Sequence, residues 1–593
     1  MTELSGTTSE ERLPFLGRRT FLRTSALAGA GLAAAALVGC GGDDEEAGAG
    51  GDAAASGTAE ATGAGKLVRD PALPFPYNFP EPAKQPKAGG TMRVAATWDV
   101  GPMDPTTSAA GGTVTVPNMV YNRLIGIKRG PTADPFKTEL QPELAASWEQ
   151  APDGLAYTFK IRPGTKWQNL PPLNGREFVA EDAKFALERY SKEGVHKAYY
   201  VNVDAFEVVD KYTLKVKMKR AAADFLNPLG SDKQTIFPKE LVDDGSIKEK
   251  VIGTGPMILK EALTADKVTF TKNPEYFNAK VLIDGFEFRI MPDASARLAQ
   301  LRAGQVDYAY SAVGTLSEVN QLLKSNPGMQ VHLLPLTYMT FTFAFNLASP
   351  KYKDERVRRA VSMALNRKQQ VDLLYEGLGK SLSVIPWTYV MDAEPTIESG
   401  KLGKWMKYDP TEAKALLKAA GAEKLEMENM YYAYTQNNDR ANEVIVPALR
   451  EVGITMTGGK AEYTTFNSNW VGGKLPDVST SGWGTSGFDA DNWFYGQIHS
   501  KSAGNRWRIS DPQLDEWAEA QQVELNPQKR RELQLKIWDR DNDMMYRPPL
   551  SYGFTYEVYQ PWLRGIRFGQ SSPNGNSSYY NWGSQVEYGW LDK

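Results

Sequence analysis

Between residues 212 and 219 apolar and polar positions alternate without a break: Leu214, Val216 and Met218 fall on one face, Lys215, Lys217 and Lys219 on the other. A period of two with one apolar face predicts a half-buried strand. Residues 91–97, 157–161, 267–271 and 286–290, each bounded by Gly, Pro, Asp or Asn, are strand candidates of the same kind. Elsewhere the period lengthens to that of a helix. Asp409-Pro410-Thr411-Glu412 opens a segment with Ala413, Leu416, Leu417 and Ala420 on one stripe, and Gly421 closes it. A second helix starts at Asp354 and places Val357, Ala360, Val361, Ala364 and Leu365 at helical spacing, which turns Arg356, Arg358 and Arg359 toward water as a solvated basic face. A third starts at Asn526-Pro527, runs through Trp538 and Met544, and is ended by Pro548. Strands and helices alternate with no fixed-period repeat, so the pattern predicts one continuous mixed α/β body.

The first 87 residues break this pattern. Arg12, Arg18, Arg19 and Arg23 form a positive leader, followed by an apolar, small-residue run at 26–38 that is too short to span about 30 Å of hydrocarbon. That is the order of a secretory signal, and Arg18-Arg19 with Phe21-Leu22 resembles the twin-arginine export signal, whose pathway carries folded proteins. Leu37-Val38-Gly39-Cys40 resembles a bacterial lipobox, with Cys40 as lipid acceptor and new N-terminus after cleavage of residues 1–39. Cys40 is the single cysteine, so no intramolecular disulfide is possible. Residues 41–87 are Gly, Ala, Asp, Glu and Thr, then Pro, with too little apolar surface to offset ordering entropy, and read as a flexible tether. About 500 residues remain, enough for two or more domains.

Charge and motif searches remove several function classes. A formal net charge of −3 leaves no basic footprint for nucleic acid. The 3 histidines, His196, His332 and His499, stand far apart and in no metal-ligand spacing. Ser486 lacks the second glycine of a GxSxG elbow. Gly379-Lys380-Ser381 imitates the end of a phosphate-binding loop, but Leu374 occupies its first glycine position. Asp489-Ala490-Asp491 begins like a calcium loop, yet Trp493 and Phe494 replace the expected ligand and glycine. The reading therefore expects no catalytic residues, no metal and no cofactor.

A family resemblance rests on short segments that occur in a fixed order: PELAASWE at 142–149, DGLAYTF at 153–159 with IRPGTKW at 161–167, FVAEDA at 178–183, GTGP at 253–256, NPEYF at 273–277, LRAGQVD at 301–307 and DERVRRA at 354–360. In this order they resemble the family 5 extracellular solute-binding proteins, the oligopeptide-, dipeptide- and nickel-binding group. The resemblance implies two α/β lobes joined by two crossing segments, with solute trapped in the cleft between them. It places lobe I at 88–334 with an inserted subdomain at about 135–250, lobe II at 335–547, and a return to lobe I at 548–593; the crossings fall near 334–338 and 548–552. The implied partners are a small solute such as a peptide, an ABC permease, and the membrane through the lipid on Cys40; a monomer is expected. A surface sensor or chaperone of the same fold, and an exported hydrolase, are the alternatives.

Two small-residue loops are the site candidates. The first carries Trp98, Ser108, Gly111 and Thr113, in a region that reaches into the cleft in the family. The second, after a strand expected at 477–480, carries Trp483, Gly484, Thr485, Ser486, Phe488 and Asp489. Glycines there let backbone groups approach a ligand, and a backbone-lined groove holds an extended peptide by strand-like pairing. Tyr338, Trp387, Tyr432 and Tyr434, with Tyr431 and Trp493, add stacking surfaces. Asp489 and Asp491 have a second reading, as caps of a helix beginning near Asn492. Dipeptide-binding relatives carry an acid for the ligand ammonium and an arginine for its carboxylate; the resemblance puts those positions at Ser486 and near Tyr432, where neither charge is present. A buried unpaired terminus costs several kcal/mol, so a neutral, aromatic-tolerant or blocked solute is expected.

Overall fold

A computed structural model of the chain describes residues 84–107, 111–131, 133–134, 136–334, 336–339, 341–432, 436–482, 490–566 and 582–593, the side chains of 111–113, 436–438, Gly482 and Ser584 excepted. All lie in one compact unit, Ala61–Lys593. The export signal, with Arg18, Arg19 and Cys40, and nearly all of the tether fall outside the described residues.

Three sheets organise the body. A seven-stranded sheet runs in the order Gln330–Leu333, Tyr556–Tyr559, Tyr308–Ala309, Thr91–Ala96, Gly285–Ile290, Lys267–Lys272, Met257–Leu263. Thr91–Ala96 pairs in parallel with Gly285–Ile290 and with Tyr308–Ala309, while Tyr556–Tyr559 lies antiparallel to both its neighbours. A four-stranded sheet, Phe341–Phe345, Val478–Gly482, Glu426–Tyr431, Thr455–Lys460, builds the second lobe. The remaining four-stranded sheet is antiparallel, Ala145–Gln150, Ala156–Ile161, Thr213–Met218, Val203–Asp210, and carries the helix Ala180–Lys192.

The alternating segment folds as its pattern requires: Leu214, Val216 and Met218 are buried and Lys215 and Lys217 are half-exposed. The helix Pro410–Ala419 is capped by Asp409, whose carboxylate accepts the Glu412 N–H at 2.9 Å, buries Ala413 and Leu417, and is closed by Gly421 at φ +66°.

Three expectations need correction. In the helix Glu355–Ala364 the basic residues do not share a solvated face: Arg358 is 2% exposed, because its guanidinium donates to the carbonyls of Tyr352 at 2.6 Å, Lys353 at 2.9 Å and Met544 at 2.9 Å. A cation buried among carbonyls that accept its protons is stable where an isolated one is not. The helix Pro527–Met544 ends before Pro548, at Met545, which takes a left-handed φ of 48° and closes the last turn. Asp491 does not cap a helix; it sits inside the helical turn and its two carboxylate oxygens accept from Gln521 and Gln522, each at 2.7 Å.

The recurrent motifs hold the frame. Glu143 binds Arg123 at 2.9 Å and Asn122 at 2.7 Å inside the first lobe. In GTGP, a Cβ on Gly253 would stand 2.0 Å from the Val120 carbonyl oxygen, so this close approach to the end of the helix Gly111–Val120 admits no side chain. Asp307 accepts from the Arg93 N–H and the Trp562 indole, both at 2.7 Å, tying adjacent strands. These motif residues bond and pack within the fold.

Candidate functional site

Strand direction brings the candidate segments to one place. In the seven-stranded sheet, Gln330–Leu333 runs parallel to Thr91–Ala96, since each pairing across Tyr308–Ala309 and Tyr556–Tyr559 fixes its sense. The chain therefore leaves the first lobe after Leu333 at the same end of the sheet as Trp98. In the second lobe Glu426–Tyr431 and Val478–Gly482 run parallel, and Phe341 pairs with Gly482. The chain accordingly enters the second lobe at the end of the sheet where Tyr432 and Gly482 stand. Carboxyl ends of parallel strands in both lobes thus flank the crossings, the usual place for ligands in open α/β sheets.

The two crossings run side by side. Leu334 N–H donates to Thr555 O at 3.0 Å where they leave the first lobe, and Leu550 N–H donates to Phe341 O at 2.9 Å where they reach the second. Around them Met339, Leu382 and Trp387 form a small apolar cluster joined by Phe136, Leu336 and Tyr552. The two crossings, hydrogen-bonded to each other at both ends, thus share one apolar cluster.

The described candidate residues fall on three parts of this frame. Trp98 belongs to the first lobe: its indole donates to Thr115 Oγ1 at 3.1 Å, on the helix that carries Gly111 and Thr113, and it meets Tyr310 edge-on at 4.8 Å. Asp104 anchors the same loop to the inserted sheet's helix by accepting from Arg189 at 2.6 Å. Tyr338 and Trp387 sit on the crossings and are buried; Tyr338 meets Trp493 at 4.6 Å and Trp387 meets Phe136 at 5.4 Å. Burial pushes the Tyr338 hydroxyl well above its ordinary range, so it stays protonated. The buried Trp387 indole N–H finds no acceptor among the described residues. Tyr432 stands on the second lobe between Tyr463 at 4.9 Å and Phe466 at 6.4 Å, and its backbone N–H donates to Ser481 Oγ at 3.1 Å, which ties it to the base of the second loop. Ser108, Tyr434, Trp483, Gly484, Thr485, Ser486, Phe488 and Asp489 lie outside the described residues.

The structure also joins residues that sequence reasoning missed. The turn of the inserted sheet at 221–224 docks on the second lobe: Ala223 N–H donates to Gln522 O at 2.9 Å, Asp491 N–H donates to Asp224 Oδ2 at 3.2 Å, and Arg530 Nη1 lies 3.5 Å from Asp224 Oδ1. Burial, then its Asp224 neighbour, raises the Asp491 carboxyl above the ordinary carboxylate range. Beside this seam is a cavity of about 420 Å³, with Phe136, Thr138 and Asp224 on one wall and Thr388, Ala490 and Arg530 on the other. No signal within one segment could have paired residues some 270 positions apart. Among the described residues there is no cluster of three His, Cys, Asp or Glu able to hold a metal, and no helix long and apolar enough to cross a membrane.

Comparison with known proteins agrees with this geometry. Residues 139–505 match the family model described as bacterial extracellular solute-binding proteins, family 5 Middle. The chain is similar to Heme-binding protein A of Haemophilus influenzae, at 25% identity over 495 residues covering 78% of this chain and 86% of that protein. It is also similar to the Dipeptide-binding protein of Escherichia coli, at 29% identity over 411 residues covering 63% and 72%. In fold it resembles the substrate-binding protein CtaP of Listeria monocytogenes, with a TM-score of 0.72 at 20% identity, covering 86% of this chain and 100% of that one.

Proposed function

Because the chain belongs to the bacterial extracellular solute-binding proteins of family 5, and so is a substrate-binding protein of an ABC importer working outside the cytoplasm, we propose that it captures one peptide or peptide-like solute between its lobes as a lipid-anchored monomer and hands it unaltered to the permease. Lobe I spans 88–334 with the inserted subdomain at about 135–250, lobe II spans 335–547, and 548–593 returns to lobe I. Arg18 and Arg19 direct export and Cys40 carries the anchor; one acyl chain holds a protein only marginally at a bilayer, and several hold it firmly.

One observation carries the reading: the strand ends at Trp98 and those at Tyr432 and Gly482 face the same pair of crossings. A solute seated there touches both lobes only when they close, so binding shifts the population toward the closed form that a permease can tell from the empty one. Trp98, Ser108, Gly111 and Thr113 line the first side, Trp483, Gly484, Thr485, Ser486, Phe488 and Asp489 the second, with Tyr338 and Trp387 beneath the solute at the crossings and Tyr432 and Tyr434 beside it. Ser486 offers no charge to an ammonium, which favours a solute without a free amino terminus.

Native mass spectrometry of protein purified from its host tests this reading by the mass of a co-purified solute. Trp483→Ala is expected to weaken capture of that solute at least tenfold, about 1.4 kcal/mol, with the fold intact. Unchanged affinity removes Trp483 from the site, and conversion of the solute on incubation replaces binding with catalysis.

A further inference from the structure

Strand order sets a distance scale outward from the first crossing. In the seven-stranded sheet Tyr308–Ala309 lies two strands from Gln330–Leu333, the strand that leads into that crossing, and Thr91–Ala96 lies three. In the second lobe Glu426–Tyr431 lies two strands from Phe341–Phe345, the strand that receives the crossing, and Thr455–Lys460 lies three. At about 4.8 Å per strand, these four strands stand roughly 10 and 14 Å out in either lobe. Each is followed within three residues of its carboxyl end by an aromatic side chain: Tyr310 and Trp98 in the first lobe, Tyr432 and Tyr463 in the second.

In each lobe the two rings meet, Trp98 with Tyr310 at 4.8 Å and Tyr432 with Tyr463 at 4.9 Å. None of the four residues is buried away from water: Trp98, Tyr310 and Tyr432 are half-buried, and Tyr463 is 52% exposed. All are nonetheless held in place. The Tyr310 N–H donates to Ala95 O at 2.9 Å, and its carbonyl accepts from Arg297 Nε at 2.7 Å. Tyr432 heads a column of rings that continues from Phe466 to Trp470 at 6.5 Å and on to Trp507 at 5.4 Å, the last three buried. Rings fixed before binding lose little freedom when a solute is laid against them. The charged residues beside them in sequence are used within the fold. Asp99 accepts the N–H groups of Val100 at 2.7 Å and Ala265 at 3.0 Å, Glu462 accepts that of Thr464 at 2.8 Å, and Lys460 pairs with Asp439 at 3.0 Å. What these strand ends offer a solute is π surface.

We propose that the two ring pairs determine the specificity of the cleft, with Tyr310 and Tyr463 as solute contacts beside Trp98 and Tyr432, and that the solute carries aromatic side chains that lie against them. Resting on the cleft reading above, this narrows the solute class to blocked or amine-free peptides rich in aromatic residues. A ring seated on a fixed ring gains roughly two- to tenfold in affinity beyond what its buried area supplies.

Two probes, titrated calorimetrically into the mature protein, separate ring stacking from apolar burial: N-acetyl-Phe-Ala-Phe amide, and the same molecule with cyclohexylalanine at both phenylalanine positions. The cyclohexyl groups are at least as apolar but have no π face, so burial alone makes the second probe bind as tightly as the first or more tightly. The phenyl probe is expected to bind at least threefold more tightly. Tyr463→Leu and Tyr310→Leu are each expected to weaken it about threefold and to leave the cyclohexyl probe unchanged, and Tyr463→Phe, which keeps the ring, is expected to retain the preference. Because Tyr463 is exposed, its variants carry the decision if Tyr310→Leu fails to fold. Equal or tighter binding of the cyclohexyl probe, or a phenyl preference that survives the leucine substitutions, overturns the inference and leaves capture in the cleft standing. Saturation by neither probe overturns the inference together with the peptide-like reading on which it rests.

Discussion

Replacing Asp224 by alanine should open the protein without unfolding it. At the seam Asp224 Oδ2 accepts the Asp491 N–H at 3.2 Å, and Oδ1 faces Arg530 at 3.5 Å, with the two side chains only 8% and 13% exposed. Its removal leaves a buried N–H unmet, at about 1–3 kcal/mol, and deprives a mostly buried guanidinium of its counter-ion. Relief of the repulsion between the Asp224 and Asp491 carboxylates offsets part of this, so the net cost is about 2 kcal/mol. In the open form water meets the same groups, and the whole cost falls on closure. At about 1.4 kcal/mol per factor of ten, the closed-to-open ratio falls about 30-fold. Single-molecule energy transfer reads this directly, with dyes on cysteines replacing the exposed Lys414 of the second lobe and the half-exposed Lys217 of the inserted sheet, in a Cys40→Ser background. The variant's transfer distribution should shift toward long distances at an unchanged melting temperature. A lowered melting temperature with an unshifted distribution would show that the seam is a permanent contact and refute the reasoning.

Three other outcomes are expected. Burial pushes the Glu587 carboxyl up to about 7 from its ordinary 4.5, so the folded chain holds a proton that the unfolded chain has lost, and the group's contribution to stability falls as pH rises from about 4.5 to about 7. His196, lowered to about 4 by burial and by Lys233, acts in the opposite sense, losing stability as pH falls from about 6.5 toward 4. Glu587→Gln should therefore match the wild type near pH 5 and exceed it at pH 8 by up to about 3 kcal/mol in urea unfolding; an equal difference at both pH values would contradict the assignment. Arg358→Met strands three carbonyls and should cost about 3 kcal/mol, whereas the exposed Arg356→Gln should cost under about 1 kcal/mol; equal urea midpoints for the two would restore the solvated-face reading. Cys40→Ser should move the protein from the membrane to the soluble fraction on cell fractionation, and continued retention would remove the lipid anchor.

What could be read from the sequence was local. The alternation at 213–218 and the Asp409 cap each depend on residues within one segment, and both elements stand where the pattern puts them. Arg358 was misread because the carbonyls that bury it come from Tyr352, Lys353 and Met544, the last of them 186 residues away. Asp491 was misread for a similar reason: a capping role is the local use of an aspartate before Asn492, and the amides that claim it stand 30 and 31 residues downstream. Aromatic candidates such as Trp387 were visible as residue types, but whether a ring packs or waits for a ligand depends on neighbours such as Phe136 that only the fold supplies. Thr138, Asp224, Thr388 and Arg530 carry no motif at all. Each is ordinary in its own segment, and the seam alone brings them to one cavity.

Closure of two rigid lobes on a guest is most directly tested by small-angle scattering of the mature protein, stripped of solute and then reloaded with it at one-to-one stoichiometry. Hinge closure predicts a smaller radius of gyration on loading, reversed on stripping. An unchanged radius at full occupancy would contradict it.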